Sequence, residues 1–269
     1  MPELPEVETV ARGLRACLPG QTLEAVVLHR ASMLRGDPAA LESLRGATLT
    51  AIERAGKYLV FQFPGVQLMF HLGMTGQLVL RPLQAPLQPH THACLRFSGG
   101  QELVFRDPRR FGKIAIAPAP ASGFAQQLGI AAGAEPLEIS ADAFVELFRV
   151  RKAPIKSALM NQKLLRGLGN IYADESLYRA RLHPRAHHLS AMRLRRLRLA
   201  IREVLRQAIV AGGSSISDYV NSRGEPGWFH LRHRVYGRAG QPCFRCRHLI
   251  RRIVLAGRSS HFCPHCQKR

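Results

Sequence analysis

The sequence predicts an α+β protein of two domains, and three patterns along the chain support this prediction. After one N-terminal helix, short runs of alternating apolar and polar residues are separated by Gly and Pro. From about residue 137 the apolar residues recur at helical spacing instead. Near its end the chain carries two Cys-x-x-Cys pairs. We therefore expect an N-terminal antiparallel β-sandwich with an N-terminal helix, followed by a helical domain and a β-hairpin zinc finger.

Composition points to a polyanionic partner. The chain has 269 residues, a length typical of about two domains, and a net charge of +21 with a pI near 11.1. No acidic residue follows Glu225, whereas ten Lys or Arg do. Nucleic acid is the partner that this charge favours, and a basic protein without a particular target is the alternative.

The chain lacks the sequence signals of membrane insertion and secretion. No apolar run approaches the ~20 residues of a transmembrane helix. The first helix carries acidic residues where a signal peptide has a basic segment. We therefore expect a soluble, intracellular protein.

The first helix is predicted from Pro5 to just before Gly20. Proline suits the first turn of a helix, and acidic residues suit its positive end. Val7, Val10 and Leu14 follow at helical spacing. Such a helix would hold the N-terminal residues against a core.

Residues 22–117 are predicted to consist mostly of strands, and with the first helix they form a domain over 1–117. The predicted strands are Leu23–Val27, Leu59–Phe63, Val66–Leu72, Gln77–Arg81, Ala93–Phe97, Glu102–Arg106 and Lys113–Ala117. Cys17 and Cys94 lie in this part and are predicted to be buried free thiols.

The second half is predicted to be helical. An Ala-, Pro- and Gly-rich linker over 118–136, with one short helical turn, precedes a helical domain over 137–230 and a zinc finger over 235–269. Four helices are predicted at Asp142–Val150, Ile155–Asn161, Ile171–Ala180 and about 193–208. Ser215 with Asp218 predicts the cap of a fifth, short helix.

The N-terminus itself has the chemistry of a nucleophile. Removal of Met1, which is usual before a small residue, would expose the secondary amine of Pro2. An α-amine titrates near pH ~8, so part of it is unprotonated at neutral pH and can attack a sugar carbon to form a Schiff base. Glu3 beside it could donate or accept the proton. The alternative is an ordinary mobile terminus.

The spacing of four cysteines predicts a metal site. Cys243 and Cys246 form one Cys-x-x-Cys pair, and Cys263 and Cys266 form the other after sixteen intervening residues. Four thiolates at this spacing are typical of one structural zinc ion with no open ligand position. His248, His261 and His265 are candidate spare ligands, although solvent-facing or phosphate-facing histidines are the favoured interpretation.

Three short segments carry residues suited to DNA, each with a plainer alternative. In 107–112 (DPRRFG) the paired arginines and Phe111 suit phosphate contact and insertion between bases, or the segment is an ordinary hairpin turn. Met74 between two glycines in 71–76 (HLGMTG) is either a similar wedge or a turn residue. Gly167 and Gly169 before Asn170 leave backbone N–H groups free for an anion, or form a plain turn.

The chain resembles the formamidopyrimidine-DNA glycosylases over essentially its full length. The resemblance rests on six segments in this order: MPELPEVE, Gly56-Lys57-Tyr58, HLGMTG, DPRRFG, GLGNIYADE and the four-cysteine finger. The resemblance implies a helical domain with a helix–two-turn–helix motif. It implies an enzyme that excises oxidised purines from duplex DNA through a Schiff base on the N-terminal proline. Cleavage of the strand at the abasic site by β,δ-elimination follows. It also implies a monomer.

The resemblance assigns roles to individual residues. Pro2 is the nucleophile, Glu3 the proton donor and acceptor, Lys57 the lysine of β-elimination, and Arg258 an arginine tied to δ-elimination. Asn170 and Arg258 would clamp the phosphate at the lesion. The remaining DNA contacts are Met74, Arg109 and Phe111, which fill the gap left by the flipped base, together with His90 and Arg151. A loop over 217–229 would close over the extruded base.

Two alternatives stay open at this level. An endonuclease VIII-type glycosylase for oxidised pyrimidines is disfavoured by Leu4, because that group tends to have glycine there. A non-catalytic DNA-binding zinc protein is disfavoured by the presence of Pro2, Glu3 and Lys57.

Overall fold

The computed structural model describes residues 1–119, 132–216 and 218–269. The chain divides into two compact units. The first comprises Met1–Ile130 with Ala211–Trp228, and the second comprises Ala131–Val210 with Phe229–Arg269. The predicted linker 118–136, with its helical turn, lies mostly outside the described residues.

The first unit contains one long helix and two β-sheets. Its elements are α1 (Leu4–Arg15), β1 (Leu23–Leu28), β2 (Leu34–Arg35), α2 (Pro38–Glu42), β3 (Ala51–Ala55), β4 (Tyr58–Phe63), β5 (Val66–His71), β6 (Gln77–Pro82), β7 (Thr91–Phe97), β8 (Gln101–Arg106) and β9 (Lys113–Pro118). One sheet has the order β1-β7-β8-β6 and the other β2-β9-β5-β4-β3. All described pairs are antiparallel except β2 with β9. Helix α1 ends at Arg15, earlier than the sequence predicts.

The two sheets share one hydrophobic core, which confirms the predicted β-sandwich. Phe70 of β5 and Phe105 of β8 meet edge to face with ring centroids 5.8 Å apart, and both side chains are fully buried. Phe61 of β4 contacts Phe70 in the same way at 5.2 Å. Truncating such a buried Phe to Ala typically costs about 3–5 kcal/mol. Val7, Val10 and Leu14 of α1 belong to the same core.

Residues 211–228 pack in the first unit, although the sequence analysis included them in the domain over 137–230. Buried contacts to α1 explain this packing: the Ser214 N–H donates to the Glu6 carboxylate at 2.8 Å, and the Tyr219 hydroxyl donates to the Glu6 carbonyl at 3.2 Å. Polar contacts between residues so far apart in sequence leave no periodic pattern.

The predicted fifth helix is wrong for the residues described around it. Residues 214–216 and 218–220 form no helix. The Ser215 hydroxyl does not cap a helix but donates to the Tyr219 carbonyl at 2.7 Å and accepts the Gly227 N–H at 2.8 Å. The segment is therefore a loop closed by Ser215.

The second unit contains a short 3-10 helix (Phe229–Arg232), a hairpin and four described α-helices. They are α3 (Ala141–Arg149), α4 (Ile155–Met160), α5 (Asn170–Arg179) and α6 (Ala191–Val210), followed by the antiparallel pair β10 (Arg251–Leu255) and β11 (Arg258–Phe262). The predicted apolar stripe of α6, including Leu194, Leu197 and Ile201, is buried. Across the described ranges, no helix has the length and apolar character needed to span a bilayer.

Candidate active site, nucleic-acid interface and zinc centre

Pro2 and Glu3 lie immediately before α1 and are both buried, with Glu3 only 3% exposed. Met1 precedes them and is 52% exposed. The Glu3 N–H donates to the Glu6 carboxylate at 2.8 Å. Because the other Glu6 oxygen accepts from Ser214, one carboxylate fixes both the N-terminal residues and the start of segment 211–228. Burial and the hydrogen bond to Glu6 therefore hold the predicted nucleophile and the neighbouring acid in a defined position.

An ion cluster connects α1 with the turn that carries Lys57. Glu8 contacts Arg12, Arg15 and Arg54, each at 3.0 Å. Burial alone would raise the pKa of Glu8, but these arginines outweigh it and lower the pKa. Arg54 also donates to the Gly56 carbonyl at 3.1 Å. Glu8 thus positions the β3–β4 turn through Arg54.

Lys57 occupies the second position of that two-residue turn and is 8% exposed. Gly56 before it has φ +60°, a conformation that favours glycine. Nearby His71 has its pKa lowered to about 4, by burial first and then by the charges of Lys57 and Arg35. His71 is therefore neutral at neutral pH, and its imidazole adds no second positive charge beside Lys57.

The carboxylate of Asp107 joins the HLGMTG and DPRRFG loops. Asp107 is fully buried and accepts from the Thr75 hydroxyl at 2.5 Å and from the Gly112 N–H at 2.7 Å. The Arg109 N–H lies 3.3 Å from both the Thr75 hydroxyl and Asp107. Backbones also meet closely, because a Cβ on Gly73 would lie 2.4 Å from the Gly112 nitrogen. The two loops therefore form one braced structure.

Three predicted gap-filling side chains project from this braced pair of loops. Met74 is 40% exposed and Phe111 is 51% exposed, although both are large apolar residues. The Arg109 guanidinium lies 4.8 Å from the centroid of the Phe111 ring. Exposed apolar side chains on rigid loops are suited to entering a base stack.

His90 and Arg151 are exposed, as DNA contacts require. His90 has φ +66°, and its carbonyl accepts the Asp107 N–H at 3.1 Å. Arg151 follows α3 and donates from Nε to the Leu147 carbonyl at 3.0 Å. His90 therefore belongs with the braced loops of the first unit, whereas Arg151 lies on the second.

Asn170 is the first residue of α5, and its side chain contacts the zinc-finger hairpin. Its Nδ2 donates to the Ser259 hydroxyl at 3.2 Å, and Ser259 follows Arg258 directly. Arg258 is exposed and opens β11, just after the Ala256–Gly257 turn. Asn170 therefore contacts the residue that directly follows Arg258.

A buried charged network holds the hairpin against the helices. Lys156 of α4 lies 2.7 Å from Asp174 of α5, and both side chains are nearly inaccessible. Lys156 also donates to the Ser259 carbonyl at 2.6 Å, and Asp174 accepts the His261 N–H at 2.8 Å. The His261 ring also contacts Asp174, with Nδ1 3.1 Å from a carboxylate oxygen, and His261 belongs to none of the candidate metal-ligand clusters found among the described residues.

Glu175 holds in place residues 234–236, the segment that precedes the zinc finger. Its carboxylate accepts the backbone N–H groups of Arg234, Val235 and Tyr236 at 2.8–2.9 Å. Burial raises the pKa of Glu175, while the three N–H donors oppose that rise. The sequence contains Asp174 and Glu175 in a recognisable motif, but nothing in their spacing indicates these partners.

The four predicted zinc ligands converge. Their sulfur atoms all lie within 4.8 Å of one another, with Cys246–Cys263 at 3.4 Å and Cys243–Cys266 at 4.0 Å. Zinc–sulfur bonds of about 2.3 Å in a tetrahedron need separations of this size. Backbone N–H groups of Arg245 and Cys266 approach Cys243 and Cys263 at 3.4 Å and would support thiolate charge. The residues therefore fit one zinc ion closed by four thiolates.

Family models match the chain in three successive parts. The formamidopyrimidine-DNA glycosylase N-terminal domain matches residues 1–114, and the glycosylase H2TH domain matches 131–220. A zinc finger found in FPG and IleRS matches residues 240–269.

Relatives and solved structures cover the whole chain. A formamidopyrimidine-DNA glycosylase from Solibacter usitatus is 48% identical over 274 residues, covering 100% of both chains. One from Thermus thermophilus is 45% identical over 286 residues, covering 99% of this chain and 98% of the relative.

The Lactococcus lactis Fpg in complex with abasic-site DNA superimposes with a TM-score of 0.90 at 35% identity, covering 99% of this chain and 100% of that one. Wild-type L. lactis Fpg with N7-benzyl-Fapy-dG DNA gives 0.90 at 36%, with complete coverage of both. The chain belongs to the formamidopyrimidine-DNA glycosylase family.

Proposed function

We propose that this protein excises oxidised purines from duplex DNA and then cleaves the strand, with Pro2 as nucleophile. The proposal rests mainly on the observation that Pro2 and Glu3 are both buried immediately before α1. Relatives bound to DNA with an abasic site or with N7-benzyl-Fapy-dG support the substrate class. We also propose that the protein acts in the bacterial cytoplasm, at the nucleoid, because bacterial DNA lies there.

In the first step the Pro2 nitrogen replaces the damaged base on C1′ of the sugar. The lone pair of the Pro2 nitrogen forms a bond to C1′ of the damaged nucleotide, while the bond from C1′ to the base breaks and its electron pair leaves with the base. The base needs a proton to leave, and the carboxyl of Glu3 is the group beside Pro2 that can move protons. The attached Pro2 nitrogen then loses its proton to a base, which restores its lone pair. Protonation of the sugar ring oxygen lets the bond from C1′ to that oxygen break, and the lone pair forms the C1′=N bond of an iminium on Pro2.

Strand cleavage follows from that iminium. Positive charge on nitrogen acidifies the hydrogens at C2′; removal of one sends its electron pair into a C2′–C3′ double bond and expels the 3′ phosphate. A second elimination expels the 5′ phosphate. We propose that Lys57 removes the proton in β-elimination and that Arg258 assists δ-elimination. Water finally releases Pro2 from the sugar fragment.

We propose two tasks for the DNA-binding residues: filling the gap left by the extruded base and holding the phosphates. A base inside a duplex must be swung out of the stack before its sugar can be attacked, and the gap must be filled. We assign that gap to Met74, Arg109 and Phe111, whose loops are held by Asp107. Asn170 and Arg258 would hold the phosphate at the lesion, with His90 and Arg151 as further contacts. Zinc, when bound, folds the finger and supplies no step of the reaction.

Substitution of Pro2 tests the assignment. Pro2→Gln removes the secondary amine, and its large side chain disfavours removal of Met1. We expect no excision of 8-oxoguanine and no cleavage at an abasic site, with unchanged binding to abasic-analogue DNA. Glu3→Gln keeps the amine and should slow base excision about a hundredfold or more. Undiminished strand cleavage by Pro2→Gln would contradict the assignment.

A further inference from the structure

Basic side chains line two adjoining cavities of the second unit, beside the four-cysteine centre. The first cavity, of about 900 Å³, is lined by Arg179, Arg232, Arg234 and Arg245. The second, of about 520 Å³, is lined by Arg245 again and by Arg181, Arg193, Arg196, Lys268 and Arg269. Because Arg245 belongs to both, the two cavities form one continuous surface, which we call the basic groove.

The basic groove carries an excess of positive charge. No Asp or Glu is among the described residues that line the second cavity, and with zinc bound the four thiolates contribute only two negative charges there. In the first cavity, the carboxylate of Glu175 accepts three backbone N–H groups. Glu203 offsets one cation, since it accepts from Arg179 Nε at 2.6 Å. Burial, and then the charges of Arg234 and Arg245, lower the pKa of Arg179. An anionic ligand would relieve this crowding of like charges.

Aromatic rings hold several of these guanidinium groups in place. Arg245 lies 5.5 Å from the centroid of the Tyr178 ring, and Arg234 lies 5.1 Å from that of Phe244. Arg238 lies over the same Phe244 ring at 3.7 Å and donates to the Arg234 carbonyl at 2.7 Å. A guanidinium stacked on an aromatic face keeps its N–H edge available for the oxygens of a phosphate.

Two elements connect the basic groove with the proposed phosphate clamp. Helix α5 and strand β11 run side by side in the same direction, because Asn170 contacts Ser259 near the start of both and Asp174 contacts His261 further along both. The clamp residues are therefore at one end of this pair of elements.

The basic groove lies at the other end. Helix α5 runs from Asn170 to Arg179, a rise of about 14 Å. Strand β11 begins at Arg258 and leads directly to Cys263, about 16 Å away at the usual rise of a strand. A phosphate held by Asn170 and Arg258 is thus out of reach of the groove, which needs a ligand of its own.

Duplex DNA matches the groove better than an acidic protein segment does. Nine basic residues line the groove. Duplex DNA carries one negative charge per ~1.7 Å of its axis, whereas an extended acidic peptide carries at most one per residue, or ~3.3 Å. Arginine, which supplies eight of the nine, binds phosphate through two parallel hydrogen bonds.

We propose that the basic groove binds the phosphate backbone of a second duplex segment while the clamp holds the first. The inference rests on the proposed action on duplex DNA and not on the chemistry of excision. Contacts to phosphates carry no sequence information, so the second segment is bound without preference for sequence or lesion. The protein can then contact a new segment before it releases the old one.

The test is formation of a ternary complex by the full chain with zinc bound. A short labelled abasic-analogue duplex saturates the first site, and an undamaged duplex with a different fluorophore is titrated while the anisotropy of both is followed. We expect the second duplex to bind without releasing the first, with an affinity that falls steeply as salt rises. R196Q/R245Q should weaken the second duplex about tenfold or more and leave the first unchanged. Both side chains are exposed, so the circular dichroism spectrum should not change.

R45Q/R149Q is the matched control, because it also removes two exposed arginines and neither lines the groove. It should keep the affinity for both duplexes. The proposal is overturned if no second duplex binds, if R196Q/R245Q leaves its affinity unchanged, or if R45Q/R149Q weakens it equally. Binding of polyglutamate but of no second duplex would overturn it in favour of an acidic protein partner. Failure of the first duplex to bind would contradict the proposed function itself.

Discussion

The Thr75 hydroxyl donates to the buried carboxylate of Asp107 at 2.5 Å, and this contact joins two loops that are 32 residues apart in sequence. One loop carries Met74, and the other carries Arg109 and Phe111. A single carboxylate therefore fixes the relative positions of the three side chains that we propose fill one gap in the DNA.

Replacing Asp107 should loosen both loops. Asp107→Ala leaves the Thr75 hydroxyl and the Gly112 N–H without their acceptor, which should lower the free energy of unfolding by about 2–3 kcal/mol. Excision should fall while the Schiff base on an abasic site still forms, because Pro2 is unaltered. Denaturant unfolding and single-turnover excision measure the two effects.

Asp37→Ala is the matched control, since the carboxylate of exposed Asp37 accepts the Ala39 N–H at 2.9 Å at the start of α2. It should cost about 1 kcal/mol. Equal losses for the two variants would contradict the bracing role of Asp107.

Buried histidines should make stability depend on pH. His71 in the first unit and His233 in the second each have a pKa lowered to about 4, chiefly by burial. The unfolded chain, with histidine pKa near ~6.5, binds more protons between these values, so stability falls as pH drops through that window. Burial raises the pKa of Glu8 and of Glu102, but their arginine partners outweigh it and lower both pKa values, so these two carboxylates stay mostly charged from pH 5 to 6.5.

The check is the free energy of unfolding measured from pH 5 to 6.5. His71→Asn should flatten the slope, leaving the contributions of His233 and of His183, whose pKa is also lowered by burial. Substituting exposed His187 by Asn should leave the slope unchanged. A slope that His71→Asn does not alter would show that His71 titrates normally in the folded protein.

The buried pair Lys156–Asp174 should be sensitive to losing one partner. Lys156→Met leaves Asp174 as an uncompensated buried charge, which typically costs about 3–5 kcal/mol. The double variant Lys156→Met/Asp174→Leu should recover part of that loss. Unfolding measurements on a double-mutant cycle give the coupling energy.

Lys152→Met serves as the control, because Lys152 is exposed on the same segment. It should change the free energy of unfolding by less than about 0.5 kcal/mol. A Lys156→Met variant as stable as Lys152→Met would mean that the pair contributes nothing.

Removing zinc should abolish DNA binding instead of only slowing turnover. A structural zinc site contributes about 10–16 kcal/mol to folding in isolated finger peptides. Without it, the hairpin that carries Arg258 and Ser259 loses its support. Binding of abasic-analogue DNA before and after chelation measures the effect, and unchanged affinity would contradict a structural role for zinc.

The sequence predicts what depends on local pattern and fails where distant polar groups meet. The stripe of α6 and the alternation in β4 and β8 are periodic, so they are visible directly. The four cysteines are visible because metal ligands have characteristic spacing. By contrast, the Ser215 cap was wrong because the hydroxyl closes a loop with Tyr219 and Gly227.

Most of the support around the candidate site has no sequence signature. In the sequence, three buried acids look like ordinary charged residues: Glu6, Glu8 and Asp107. Only the fold shows that they position Glu3, Lys57 and the HLGMTG and DPRRFG loops, respectively. Charged residues are rarely buried unless paired, so their partners are decided by tertiary packing.

The central claim is that Pro2 is the nucleophile, and borohydride trapping tests it most directly. Duplex DNA with one 8-oxoguanine opposite cytosine is incubated with the protein and reductant, and the adduct is mapped by mass spectrometry. We predict a covalent complex attached at Pro2, with Met1 absent. An adduct on a lysine, or none with this DNA from protein whose N-terminus is Pro2, would contradict the account.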